Sequence, residues 1–390
     1  MFSQEVEDFM PTTISNYESA ACTLGSYTNG NIRLFELIAN SGEAREALAI
    51  NSALSETSTE YTRSSTPATT TSSTTLFKSS NLFDLDIMSQ NFMTGDPLSL
   101  DSIRSVLGRL EDTIIFGLIE RAQFAHNPRI YQRGAFKELE QLGFSGSWLE
   151  WFLKETEIFH AKARRYTSPD QYPFTPASEL PKPVLPPLHF PDILFPNDIN
   201  ANKSILSFYT RAIVPRITRR ATLALAAHKR QNGIYGDGEF EDDGNYGSAA
   251  TIDVEVLQAI SKRVHYGKFV SESKFISNPA AFIPHIQSRD REALEALITK
   301  PEVERKLLVR LQKKVDTYSP DITADGDSPT VNGANGYKKP NGGKIDTDGV
   351  VELYESYIIP LTKEVEVDYL LRRLDGMDEE MIERLRNKDF

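Results

Sequence analysis

From residue 99 onward, apolar side chains recur every three or four positions, which is the spacing of one face of an α-helix. Two prolines, Pro215 and Pro360, fall inside such runs, and each would kink its helix or start a new one. The sequence has no hairpin signal, no phosphate-binding glycine loop and no internal repeat. It predicts an all-α fold, a large single-domain helical bundle. The strongest runs are 99–124, 146–167, 205–231, 293–318 and 346–374.

Residues 245–275 read as one long central helix that begins in a turn. The hydroxyl of Ser248 is suited to cap the first turn by accepting from a backbone N–H. The apolar positions then follow at four-residue intervals and are Ile252, Val256, Ile260 and Val264.

Two cations further along this stretch share one face of the predicted helix. Arg263 and Lys274 are eleven residues apart, so they point the same way and lie about 16 Å apart along the axis. Gly267 lies between them and has no side chain, so both cations could lean over the gap to meet one small anion. A solvated basic stripe explains the same spacing, and spacing alone favours that simpler interpretation.

Three segments are not expected to form regular helix. Residues 173–196 contain eight prolines, which exclude regular helix and central strand, so this segment should cross a surface as extended chain. Residues 233–244 form an acidic, glycine-rich loop that leads into the central helix. Residues 319–344 are rich in turn formers and poor in apolar side chains, which predicts a mobile loop.

The chain divides by composition into three parts. Residues 1–93 include a stretch, 52–80, in which 18 of 29 residues are Ser or Thr, so a disordered N-terminal extension is predicted. An extension upstream of a protein that starts near Met88 or Met93 is the alternative. Residues 94–375 form the predicted helical domain, and residues 376–390 form a charged C-terminal tail.

Composition narrows the classes of function. The formal net charge of −12 disfavours a general nucleic-acid role, because phosphate binding requires a basic face. The single cysteine, Cys22, fits a reducing compartment, and no apolar run is long enough to span a membrane. The histidines and cysteine form no metal-binding motif. We therefore expect a cytoplasmic protein with no bound metal, no membrane and no nucleic-acid partner.

Charged and hydroxyl side chains on four predicted helices form a candidate anion site. Each of them alone is explained as a surface or helix-end residue. The sequence shows no Ser-His-Asp arrangement and no site for a metal-bound water, so nucleophilic hydrolysis is not indicated. The residues alone predict a large helical protein with a possible anion pocket. The candidates are Arg104, Arg263, Lys274, Glu304, Thr362 and Glu366.

Four blocks resemble the eukaryotic, baker's-yeast-type chorismate mutases and occur in the order found in that family. They cover the chain from about residue 100 to residue 374, with differing loops at 233–244 and 319–344. The blocks are RSVLGRLEDTIIFGLIERAQF, FHAKARRYTSPDQYPF, NYGSAATIDVEVLQAISKRVHYGKFVSESKF and IIPLTKEVEVDYLLRRL.

The resemblance implies an all-helical homodimer that rearranges chorismate to prephenate, a step toward phenylalanine and tyrosine. This reaction is a unimolecular pericyclic shift, so no cofactor, metal or nucleophile is implied. The protein must hold a flexible dianion in a chair-like conformer and stabilise charge on the breaking ether oxygen.

The resemblance also implies roles for the candidate residues. Arg104 and Arg263 would clamp the two substrate carboxylates, and Lys274 would reach the ether oxygen. Glu366, in its protonated form, would donate a hydrogen bond to the same oxygen. Glu304 would bind the substrate hydroxyl.

Two more positions complete the implied catalytic set. Thr362 would support the site. Lys300 stands where the family has an asparagine, so it could contact a carboxylate or point to solvent.

The family is inhibited by tyrosine and activated by tryptophan at a site between subunits. A helix N-terminus together with two arginines can bind an amino-acid carboxylate. Asp346 stands where the family has a threonine that acts in the switch, with Thr347 next to it. The matching residues are Arg164 and Arg165 from one chain, and Asn245, Gly247, Ser248 and Thr251 from the other.

Two alternatives stay open at this point. The chain could be a non-catalytic helical interaction protein in which the site has decayed, although its charged members are retained. It could also resemble the secreted, effector-type mutases, although it lacks a signal-peptide pattern and keeps the regulatory residues.

Overall fold

The computed structural model describes residue 92 and residues 95–186, 188–320 and 344–388, all within one compact unit, Leu82–Phe390. Every regular element among these residues is a helix, so the all-α prediction is confirmed for them. None of these helices is long and apolar enough to cross a membrane. The predictions for residues 1–91 and for residues 321–343 fall outside the described residues.

The described helices follow the predicted runs, with breaks that the periodicity did not indicate. In chain order the α-helices are α1 (Leu100–Arg121), α2 (Lys137–Gln141), α3 (Trp148–Lys162), α4 (Asn202–Phe208), α5 (Val214–Ile217), α6 (Arg219–Gln231), α7 (Tyr246–His265), α8 (Gly267–Ser277), α9 (Pro279–Gln287), α10 (Arg291–Ile298), α11 (Pro301–Tyr318), α12 (Thr347–Leu353), α13 (Ile359–Arg372) and α14 (Glu379–Asn387).

Helices α1 and α7 pack closely in the main core. Gly117 makes this approach possible, because a Cβ atom built on it would lie only 2.6 Å from Cγ2 of Val256. Arg121 and Asp253 join the same two helices by an ion pair of 2.8 Å whose side chains are fully buried. Burying two charges is tolerated only when their remaining hydrogen-bonding groups are satisfied.

Two tyrosines complete the hydrogen bonding of the Asp253 carboxylate. Tyr131 and Tyr209 donate their hydroxyls to its carboxylate at 2.5 and 2.8 Å. Arg121 donates its other N–H groups to backbone carbonyls and to the hydroxyl of Tyr131. This network fixes the position of α7 relative to α1.

The predicted central helix differs from the structure in two respects. It is divided at Tyr266 into α7 and α8. The prediction that Ser248 caps it is wrong, because Asn245 is the N-cap residue and Ser248 lies inside the first turn. The side chain of Asp243 accepts from the backbone N–H of Asn245 at 2.8 Å, which closes the turn ahead of the predicted cap.

Both predicted proline interruptions follow a wide helical turn. A π-turn at Tyr209–Ile213 precedes Pro215, and another at Tyr354–Ile358 precedes Pro360. Proline lacks an N–H and its ring crowds the carbonyl four residues back, so the helix widens there instead of continuing as regular α-helix.

The proline-rich segment is extended, as predicted, apart from a short 3-10 turn at Ala177–Glu179 among its described residues. Beyond its end the chain is tied to α8 through Lys268, whose ammonium donates to Asn197 Oδ1 at 2.7 Å and to the carbonyl of Ile199 at 2.6 Å. The same ammonium lies 4.0 Å from the ring centre of Tyr172. Burial lowers the pKa of Lys268 to about 7.

A second apolar cluster lies where α8, α9, α10, α13 and α14 meet. Within the charged tail, α14 is a helix, capped by Asp378, that buries Ile382 in this cluster. Helix α9 has no counterpart among the predicted runs, because Pro279 and Pro284 obscure its period. The cluster supports the part of α8 that carries Lys274.

Candidate active site

Three helices bring the central candidates together around Gly267. Arg263 lies in the last turn of α7, and Lys274 lies on α8. Helix α13 carries Thr362 and Glu366. A Cβ atom on Gly267 would lie 2.9 Å from Cγ of Glu366 and 3.0 Å from Cγ2 of Thr362. The space beside Gly267 is therefore filled by α13, which packs against the junction of α7 and α8 between the two cations.

Glu366 is the buried acid of this cluster, with 7% of its surface exposed. Burial raises its pKa to about 7, because the ionised form loses its hydration. The charged groups that face it are Lys274 from α8, Arg263 from α7, Glu304 from α11 and Lys363 from its own helix. At neutral pH a large fraction of Glu366 therefore carries a proton that it can donate.

Lys274 is half-buried, and its ammonium donates to the carbonyl of Ile298 at the end of α10. Burial is the largest cause of its lowered pKa. Glu366 and Glu304 oppose that shift, whereas Lys300 adds to it. Lys300 is the N-cap residue of α11 and lies close enough to Lys274 to affect its pKa.

Arg263 is 5% exposed and keeps unused hydrogen-bonding capacity. Its Nη1 lies 3.5 Å from Oγ1 of Thr362, and its Nε has no hydrogen-bond partner among the described residues. Thr362 Oγ1 itself donates to the carbonyl of Ile358 at 2.6 Å. A buried guanidinium with an unpaired N–H is suited to bind an anionic ligand, because an unpaired buried donor is costly.

Glu304 joins the cluster from the first turn of α11. Lys363 of α13 contacts both of its carboxylate oxygens, at 2.9 and 3.1 Å. Lys363 was missed at the sequence level. It stands in a run of alternating charged and apolar residues, and no spacing links it to residue 304 across the sequence.

Arg104 is the one predicted catalytic residue that the structure does not bring into the cluster. Its side chain is 69% exposed and pairs with Asp101 one turn earlier on α1, at 3.1 Å. Helix α1 does pack beside α8, through a cluster that contains Ile103 and Phe269. Among the described residues, no group of His, Cys, Asp and Glu side chains is arranged to hold a metal ion.

The comparisons with known proteins identify the family of the chain. Residues 245–367 match the family model for chorismate mutase type II. The chorismate mutase of Emericella nidulans is 44% identical over 280 residues, which are 72% of this chain and 94% of the relative. The chain belongs to the chorismate mutase family. The expectation of an enzyme of this class is thereby confirmed.

Solved structures of chorismate mutases share the fold. The Candida albicans Aro7p chorismate mutase, in complex with L-Trp, is 38% identical with a TM-score of 0.62. The match covers 76% of this chain and all of that one. AtCM1, with tyrosine bound in its allosteric site, is 41% identical with a TM-score of 0.56, and the match covers 72% and 98% of the two chains.

Within this chorismate mutase fold, the predicted effector-binding residues lie at two places. Asn245, Gly247, Ser248 and Thr251 are exposed at the start of α7, where Thr251 Oγ1 donates to the carbonyl of Gly247 at 2.9 Å. The diarginine follows the end of α3. It comprises Arg164, which has a left-handed φ of 68° and donates to the carbonyl of Pro186, and Arg165, which donates to Gln171.

Replacing Gly267 with alanine should damage the candidate site directly. The new methyl group would meet Thr362 O at 3.2 Å as well as the side chains of Thr362 and Glu366, and a backbone atom cannot turn aside. Overpacking costs about 1–3 kcal/mol, against about 1 kcal/mol gained from the higher helix propensity of alanine. We expect a modest net loss of unfolding free energy and a fall of roughly tenfold or more in kcat/KM, since a displacement of about 1 Å can cost 100-fold.

Chemical denaturation and steady-state assays measure the two effects. Gly108→Ala is the matched control, because Gly108 is also helical and a Cβ there meets nothing within 4 Å. Equal kcat/KM in Gly267→Ala and Gly108→Ala would contradict the close-packing argument.

Proposed function

We propose that this chain converts chorismate to prephenate by a unimolecular pericyclic rearrangement, in the branch of metabolism that leads to phenylalanine and tyrosine. The observation that carries the proposal is the buried cluster around Gly267. It combines two cations, Arg263 and Lys274, with a carboxyl group, Glu366, whose pKa of about 7 leaves it able to donate a hydrogen bond. The relatives described above are chorismate mutases by name.

These groups match what the rearrangement needs. The guanidinium of Arg263 binds one substrate carboxylate and Arg104, after its exposed side chain turns away from Asp101, binds the other. By fixing both carboxylates, the two arginines hold the dianion in the folded conformer, which removes the entropy cost of folding it in solution. Lys274 and protonated Glu366 then stabilise the negative charge that develops on the ether oxygen.

The remaining polar groups orient the substrate. Glu304 accepts a hydrogen bond from the substrate hydroxyl, and Thr362 supports Arg263. Lys300 extends the cationic edge of the site near Lys274, where it can contact a substrate carboxylate. None of these steps forms a covalent bond between protein and substrate.

The direct test is turnover of purified protein with chorismate in the presence of a metal chelator. We expect prephenate formation between pH 5 and pH 7. The loss of chorismate absorbance and detection of the product measure it. A folded protein that leaves chorismate unchanged across this range would overturn the proposal and favour the non-catalytic alternative.

We further propose a cytoplasmic homodimer that tyrosine inhibits and tryptophan activates. The half-buried diarginine, Arg164 and Arg165, and the exposed start of α7 would bind the effector from opposite chains. An amino-acid carboxylate can accept from the free N–H groups of the α7 N-terminus and from the arginines. The tyrosine and L-Trp complexes of the two solved relatives support an effector site of this chemistry.

Thr251→Ala tests the effector site. We expect the variant to keep the basal rate and to lose most of the response to tyrosine and tryptophan, measured as the ratio of rates with and without each effector. Light scattering should give twice the monomer mass. An unchanged effector response, or a monomer, would contradict the respective part of the proposal.

A further inference from the structure

Lys363 is a half-buried cation that the roles above do not use. It lies on α13 between two proposed site residues, Thr362 and Glu366, and its side chain is 22% exposed. Its ammonium reaches across to α11 and contacts both oxygens of Glu304, at 2.9 and 3.1 Å. Each of the two helices thus contributes one partner to the pair.

The pair constrains the direction of the Glu304 carboxylate. The carboxylate has about four lone-pair positions. Contact with both oxygens from one side leaves the other lone pairs for a ligand hydroxyl and stops the group from rotating freely. Glu304 lies in the exposed first turn of α11, and its side chain is 31% exposed. Without the contact to Lys363, several rotamers would therefore be available to it.

Lys363 also acts electrostatically on both carboxyl groups of the site, those of Glu304 and Glu366. Glu304 raises the pKa of Glu366, and Lys363 lowers it, so the cation lies close enough to act on both groups. A cation held on Glu304 offsets part of the repulsion between that carboxylate and a bound dianion. The ion pair therefore favours substrate binding without supplying a group to the reacting atoms.

We propose that Lys363 is a positioning residue for Glu304: it orients the Glu304 carboxylate toward the substrate hydroxyl and balances its charge against the dianionic substrate. This inference rests on the proposed function. It predicts an effect mainly on KM, because Glu304 contacts a hydroxyl that is present in both the ground state and the transition state.

The test is a double-mutant cycle on full-length protein. Lys363→Met keeps the length of the side chain and removes the charge, and we expect kcat/KM to fall roughly tenfold, with most of the change in KM. In a Glu304→Gln background the same substitution should change kcat/KM by less than about twofold, because its partner is already neutral. Lys363→Arg should recover most of the loss.

The matched control is Arg291→Met. Arg291 is a cation on α10 that pairs with Asp368 of α13 at 2.7 Å, so the variant also removes an ion pair between α13 and a neighbouring helix. It should leave KM within about twofold of the wild type. Thermal unfolding of every variant shows whether the fold is kept, and we expect small changes because Lys363 borders a surface pocket that water can enter.

The outcomes separate the two hypotheses. If the wild type turns over chorismate and Lys363→Met lowers kcat/KM equally in both backgrounds, Lys363 does not act through Glu304 and the positioning role is overturned. A fall that Lys363→Arg does not reverse, or one that Arg291→Met reproduces, overturns it as well. If the wild type itself has no turnover, the proposed function fails, and the positioning role fails with it.

Discussion

Replacing Lys274 with alanine should lower kcat/KM for chorismate by about 100-fold to 1000-fold, the usual effect of removing one group that stabilises developing negative charge. The ammonium is held near the cluster by the carbonyl of Ile298 and faces Glu366 and Glu304. Charge on the ether oxygen develops only as the bond breaks, so most of the loss should fall on kcat rather than on KM.

The same substitution should not weaken the fold. Burial lowers the pKa of Lys274, which means that the folded protein holds this cation at a cost in desolvation. Removing such a group leaves the free energy of unfolding unchanged or raises it, as at other sites where function opposes stability. Thermal unfolding and helical circular dichroism measure this directly.

Lys306→Ala is the control for Lys274→Ala, because Lys306 is an exposed lysine on α11, the helix that carries Glu304. It should leave kcat/KM within about twofold of the wild type. Near-normal turnover in Lys274→Ala would remove Lys274 from the site. A collapse of both activity and helicity would instead assign it a structural role.

The helices themselves could largely be predicted from apolar spacing, but the arrangement of the site could not. Three acids, Glu364, Glu366 and Asp368, alternate along one short run, and apolar spacing alone does not show which of them is buried. Only Glu366 of the three is buried. What selects it is the approach of α13 to Gly267, a contact between residues about 100 positions apart.

Long-range pairing also explains what the periodicity missed elsewhere. Arg121 and Asp253 each look like ordinary helix-end charges in the sequence, yet they form a fully buried pair across 132 positions. Ser248 looks like the better cap, but the side chain of Asp243 closes the turn before it. Local propensity makes Ser248 suitable as a cap but does not fix the residue at which the helix begins, which is Asn245.

The two ends of α7 have different proposed roles. Thr251 and Arg263 are separated by about 18 Å at helical rise, and the Arg121–Asp253 pair anchors the helix to α1 between them. An effector that moved the start of α7 would therefore act against a fixed, buried contact. We expect effectors to act through small displacements of α7, and the response of Thr251→Ala tests whether its first turn takes part.

Replacing Glu366 with glutamine should remove the pH dependence of the reaction above neutrality. Burial raises the pKa of Glu366 to about 7, so the carboxyl group is protonated at lower pH and ionised at higher pH. Because only the protonated form donates to the ether oxygen, wild-type kcat/KM should fall about tenfold per unit above pH 7. An amide donates at every pH, so Glu366→Gln should be nearly flat from pH 5 to pH 9.

The charges around Glu366 determine the pH at which the descending limb of the kcat/KM profile lies. Arg263, Lys274 and Lys363 lower its pKa, whereas Glu304 raises it. A bound dianion raises it further, so the limb of kcat should lie at higher pH than the limb of kcat/KM. Lys274→Ala removes a cation that faces Glu366 and should move the limb of the residual activity upward.

The pH dependence of the free energy of unfolding provides an independent measurement of the protonation of Glu366. A carboxyl group whose pKa is raised in the folded state binds its proton more tightly than in the unfolded chain, so the free energy of unfolding falls as pH rises from about 4.5 to about 7. Glu366→Gln should lose this part of the pH dependence, whereas Glu364→Gln, an exposed neighbour on α13, should keep it. A wild-type kcat/KM that stayed constant up to pH 9, or a Glu366→Gln variant with the wild-type limb, would show that another group carries the proton.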